Sequence, residues 1–60
     1  MNSNEERLAN MFAKAMVLED EDAINIAINE INKVKNQSKI YARAGKIIRE
    51  LTSHENQLIN

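Results

Sequence analysis

Apolar residues recur at three- and four-residue steps along most of the chain, and that period constrains the fold more than any motif does. Leu8, Met11, Phe12, Ala15, Met16 and Leu18 fall on one face of a helix, with Arg7, Asn10 and Lys14 opposite. Ile24, Ala27, Ile28, Ile31 and Val34 form a second stripe, and Ile40, Ala44, Ile47, Ile48 and Leu51 a third. The spacing predicts an all-α protein of three short amphipathic helices, at about 4–18, 21–35 and 39–52 or longer. Short connections favour an antiparallel bundle or helical hairpin, in a single domain over 1–60.

Polar residues set the expected boundaries. Ser3-Asn4-Glu5-Glu6 has the form of a capping box, in which Ser3 accepts from the Glu6 amide while the Glu6 carboxylate reaches back. Glu19-Asp20-Glu21-Asp22 would oppose the dipole at the end of one helix but complement it at the start of the next, so a break with Asp20 as N-cap is expected. The alternative is one helix running from 4 to 35. At Asn36-Gln37-Ser38, Asn36 can end a helix in the left-handed conformation and Ser38 can cap the next. Gly45, inside the third helix, is expected to mark a close helix contact, at a cost of about 1 kcal/mol relative to alanine. After Thr52 the chain turns polar, and beyond that run Leu58 and Ile59 either extend the stripe or fray.

With 60 residues, folding buries only about 60% of the surface an unfolded chain exposes, so a lone monomer is marginal. Disulfides and thiolate metal sites are excluded because there is no cysteine, and His54 has no second histidine with which to share zinc. Packing and self-association remain, so a homo-oligomer is expected. No apolar run approaches the roughly 20 residues of a membrane span, and the N-terminus is polar and acidic, unlike a signal peptide. A soluble, cytoplasmic location is the expectation. Abundant isoleucine, asparagine and lysine suit a bacterial or phage accessory protein.

Catalytic chemistry has little to work with. His54 lies in a polar stretch, Glu30 and Glu50 read as solvated surface, and one glycine cannot make a phosphate-binding loop. The acidic run lacks the alternating ligands, central glycine and distal glutamate of a calcium loop. The expectation is a non-enzymatic protein with no metal and no cofactor.

Charge is the strongest functional signal. Residues 1–32 hold two cations against seven acids, net −5, whereas residues 33–60 hold six cations against two acids, net +4. Lys33, Lys35, Lys39, Arg43, Lys46 and Arg49 succeed one another with no acid between them, and Lys39, Arg43, Lys46 and Arg49 align at about 100° per residue into a ridge facing away from the apolar stripe. Tyr41 stands beside it as the one aromatic group able to stack on a base. Such a ridge serves either an acidic protein surface, on its own or another subunit, or nucleic-acid phosphates. A helix-turn-helix is the narrower form of the second reading, although its usual turn glycine is missing. Val17 and Ile26, which the stripes do not bury, mark a candidate self-association or partner patch. The chain is therefore expected to be a small regulatory or accessory protein that works by binding another protein. Nucleic-acid binding through residues 33–49 is the alternative.

Overall fold

A computed structural model describes residues 2–59, with side chains described for 2–53. Three helices occur in order: α1 (Ser3–Leu18), α2 (Glu21–Ile31) and α3 (Gln37–Ile59). The described residues contain no strand. The helix α1 is the hub, for both α2 and α3 pack on it while α2 and α3 hardly touch each other. The molecule measures 40 × 25 × 15 Å, and its long dimension reflects α3, whose 23 residues span about 34 Å at 1.5 Å per residue.

Each helix begins and ends for a local reason, and several of these differ from expectation. The N-cap of α1 is Asn2, not Ser3: its side-chain oxygen accepts from the Glu5 amide at 2.8 Å. Starting the helix one residue earlier frees the Glu6 carboxylate from the expected reach-back. The first break falls at the acidic run, so a single helix from 4 to 35 does not form. Glu19 takes the left-handed conformation (φ 55°, ψ 37°), its amide donating to the Met16 carbonyl and that of Asp20 to the Ala15 carbonyl, both at 3.1 Å. This pairing closes the last turn of α1 as a Schellman motif. Asp20 then caps α2, its carboxylate accepting from the Ala23 amide at 3.2 Å.

The second helix ends at Ile31, four residues short of expectation. Lys33 and Val34 continue as a tight turn, donating to the carbonyls of Glu30 (3.2 Å) and Ile31 (3.1 Å). The Gln37 amide group donates to the Asn32 and Val34 carbonyls, both at 3.3 Å, and so satisfies acceptors the early ending leaves over. Asn36 is not left-handed, since Glu19 is the only non-glycine residue with positive φ among those described. Nor does Ser38 cap α3. The Asn36 carbonyl accepts from the Ile40 amide at 3.1 Å, and the helix starts at Gln37. The Asn36 side chain is engaged elsewhere, donating to the Glu5 carboxylate at 2.8 Å. That bond ties the second connection to the first turn of α1.

The core comprises Leu8, Ala9 and Ala13 of α1, Ile31 of α2, and Ile40, Ala44 and Ile47 of α3, flanked by half-buried Met11, Phe12, Val34, Tyr41 and Ile48. Ala9, Ala13, Ala27 and Ala44 are wholly buried, and their small side chains let backbones approach closely where α1 meets two neighbours. The buried face of α1 is therefore shifted from the expected one: Ala9 and Ala13 join it, whereas Met16 and Leu18 are exposed. Leu51, expected on the inner stripe of α3, is exposed as well. Gly45 marks no close contact, for a β-carbon built there meets nothing within 4 Å. Gly45→Ala should accordingly stabilise the protein by about 0.5–1 kcal/mol, because alanine restricts the unfolded chain without a clash. Chemical denaturation monitored by circular dichroism checks this, and a lower midpoint would contradict the open space seen at the site.

Candidate functional site

The basic residues divide by position and by partner. Lys33 and Lys35 precede α3 and are exposed, Lys33 lying 3.5 Å from Glu30 in a solvent-facing pair worth little. On α3, Lys39, Lys46 and Arg49 are exposed, and Lys39, Ala42, Arg43 and Lys46 line a shallow open depression. The helical register thus brings three of the four expected ridge cations together, with Arg49 three residues beyond Lys46.

Arg43 is not free for a ligand. Its Nε donates to both Glu6 carboxylate oxygens at 3.0 Å, and its Nη2 donates to Oε2 at 2.8 Å. This forked geometry is the strong form of an arginine–carboxylate pair, and it joins the start of α1 to the second turn of α3. The hydrogen bond from Arg43, reinforced by its charge, holds the Glu6 carboxyl below its ordinary value of 4.5. The reciprocal hydrogen bond and the Glu6 charge raise Arg43 above its own ordinary value. Arg43 belongs to the scaffold first and to the ridge second.

Tyr41 departs from expectation in the same way. Its ring meets that of Phe12 edge-to-face, with centroids 5.2 Å apart and planes at 80°, and it is half-buried against the core. A ring held there is committed to α1 rather than presented to a base. The connection between α2 and α3 covers 32–36, and those two helices hardly touch. That connection is longer than the three- or four-residue turn of a helix-turn-helix.

The acidic run occupies the turn between α1 and α2, with Glu19, Asp20, Glu21 and Asp22 all exposed. Asp20 caps α2, and Glu21 and Asp22 sit in its first turn, where negative charge complements the helix dipole. Glu21, Asp22, Ile24 and Asn25 line a second open depression. Among the described residues no three His, Cys, Asp or Glu side chains gather closely enough to hold a metal ion. The His54 side chain lies outside the described residues.

Apolar groups flank this turn. Val17 is 38% exposed, Leu18 76% and Ile26 57%, with Met16 exposed beside them. Val17 and Ile26 were legible as residues off the stripes. Leu18 and Met16 were not, because the sequence cannot say at which residue α1 passes beyond the cover of its neighbours.

Two further residues carry no signal strong enough to single them out in the sequence. Glu5 is buried, and its carboxylate accepts from Asn36. Its place three residues before Leu8 and four before Ala9, on the buried face, was the available signal. No local pattern links Glu6 to Arg43, which are 37 residues apart. No described helix is long and apolar enough to cross a membrane. No known protein family, curated protein or solved structure matches the chain.

Proposed function

We propose that the chain is a small, non-enzymatic regulatory or accessory protein that acts by binding another protein, with successive helices running antiparallel and the fold completed by association into a homo-oligomer. One observation carries this reading: Met16, Val17, Leu18 and Ile26 are exposed on either side of one turn, in a chain with little core to spare. Uncovered aliphatic groups beside polar ones favour protein contact. The small size of the domain supports association, since small domains that lack disulfides are often completed by a partner.

A second reading, nucleic-acid binding, has its own observation in the depression lined by Lys39, Arg43 and Lys46. Because Glu6 already neutralises Arg43, its phosphate contacts would rest on Lys39, Lys46 and Arg49. Few contacts of this kind give weak, strongly salt-dependent affinity.

Affinity capture from a cell lysate, with and without nuclease, separates the two. The expected result is a protein partner that survives nuclease and is lost with Val17→Glu/Ile26→Glu. Capture that nuclease abolishes would favour the second reading, provided that Lys39→Glu/Lys46→Glu removes a gel shift on short duplexes or single strands at about 50 mM salt. Arg43 is unsuitable for that test, since its substitution also breaks the bridge to Glu6. Capture of nothing, together with no gel shift and no self-association of the chain, overturns both.

A further inference from the structure

We propose that the exposed apolar corner at the α1–α2 turn is covered by a second copy of this chain, docked so that the corner of each copy lies against the basic ridge on α3 of the other. The proposal deepens the protein-binding reading and rests on it, since it names the occupant of that surface.

Charge complementarity identifies the occupant. The corner presents exposed Val17, Leu18 and Ile26 amid the exposed acids Glu19, Asp20, Glu21 and Asp22. On α2, Asp22 and Ile26 are four residues apart and therefore share a face. The ridge presents exposed Lys39, Lys46 and Arg49, with Ala42 as an apolar floor between the cations. A single copy does not match these charges against each other. Only two ion pairs form among the described residues, Glu6–Arg43 and Glu30–Lys33, so the four acids of the corner and the three cations of the ridge have no ion-pair partner there. The cause lies in the fold, which packs α2 and α3 on α1 but scarcely on each other.

Opposite potentials on two surfaces of one molecule steer its copies together and penalise docking of like on like. The apolar residues within the acidic corner then supply area to bury, which charge alone does not. Reciprocal docking saturates both surfaces on both copies, so the assembly closes at two. Attraction between exposed charges is screened within about 10 Å at 0.1 M salt, so the pair should loosen as salt rises.

Sedimentation of the full chain across concentration tests this. The mass is expected to rise from the 6.9 kDa of one chain to a plateau at twice that value, with weaker association at high salt. Glu21→Lys/Asp22→Lys and Lys39→Glu/Lys46→Glu should each remain monomeric on their own, with helical circular dichroism showing that they are folded. Mixed in equal amounts, they should pair again, because the unaltered corner of one meets the unaltered ridge of the other, while the introduced lysines at 21 and 22 meet the introduced glutamates at 39 and 46. Arg7→Glu/Lys14→Glu alters net charge as the ridge variant does but leaves the ridge intact, so with the corner variant only one of the two contacts keeps its complementarity and pairing should be weaker. A wild-type mass that stays at one chain, folded reversal variants that still pair alone, or equal pairing with the off-ridge control would each overturn the proposal. If copies fail to associate while lysate capture of another protein persists, only this inference falls. If both fail, the protein-binding reading falls with it.

Discussion

Ile40→Ala is expected to abolish cooperative folding or to lower the thermal midpoint by roughly 10–30 °C. Ile40 is wholly buried, one of the three largest side chains so enclosed together with Leu8 and Ile31. Truncating a buried isoleucine removes its transfer free energy and leaves a cavity, at about 2–5 kcal/mol in total. At about 0.05–0.15 kcal/mol per residue, a domain this small has only about 3–9 kcal/mol of stability, so the substitution removes a large share of it. In a domain of this size, 1 kcal/mol corresponds to about 4–8 °C. Thermal unfolding monitored by circular dichroism measures the shift, with Leu51→Ala as the comparison. Leu51 is chemically similar and lies on the same helical stripe, but it is 42% exposed, and its truncation should cost much less. Equal losses at the two positions would mean that the core does not sit where α1 meets α3.

The second large effect concerns a buried acid. Glu5 is 7% exposed, and among the described residues the only donor to its side chain is the Asn36 amide group at 2.8 Å. Asn36→Ala should cost about 1.5–3 kcal/mol, the range for a hydrogen bond to a charged group, because it leaves the carboxylate under-solvated without its partner. The expectation contrasts with the exposure of Asn36 itself, since exposed substitutions ordinarily change stability by about 0.5 kcal/mol or less. Denaturant titration of Asn36→Ala, Glu5→Ala and the double variant would isolate the pair. With Glu5 absent, removing Asn36 should cost little, and additive losses would show that the two side chains do not depend on each other.

Local signals were legible where the chain's own neighbours decide them. The three stripes predicted three helices because a period near 3.6 places such residues on one face whatever packs there. The acidic break was legible for a similar reason: Asp20 can cap only a helix that begins after it, and Glu21 and Asp22 favour the start of a helix. Charge polarity also belongs to the sequence, because fixed charges need no fold to be counted.

Tertiary structure decided everything that depends on a distant residue. The spacing carried no warning that α2 would stop at Ile31, because the ending is met by the Gln37 side chain and by the pull of Asn36 toward Glu5. Nor could it foresee that Tyr41 would be held against Phe12, or that Arg43 would be held by Glu6. Exposure of Met16, Leu18 and Leu51 arises where one helix runs past its neighbours, which is a property of their packing. An amphipathic period specifies which side of a helix seeks cover. How far along the helix that cover extends, and which charges remain unmatched, is set only when the helices meet.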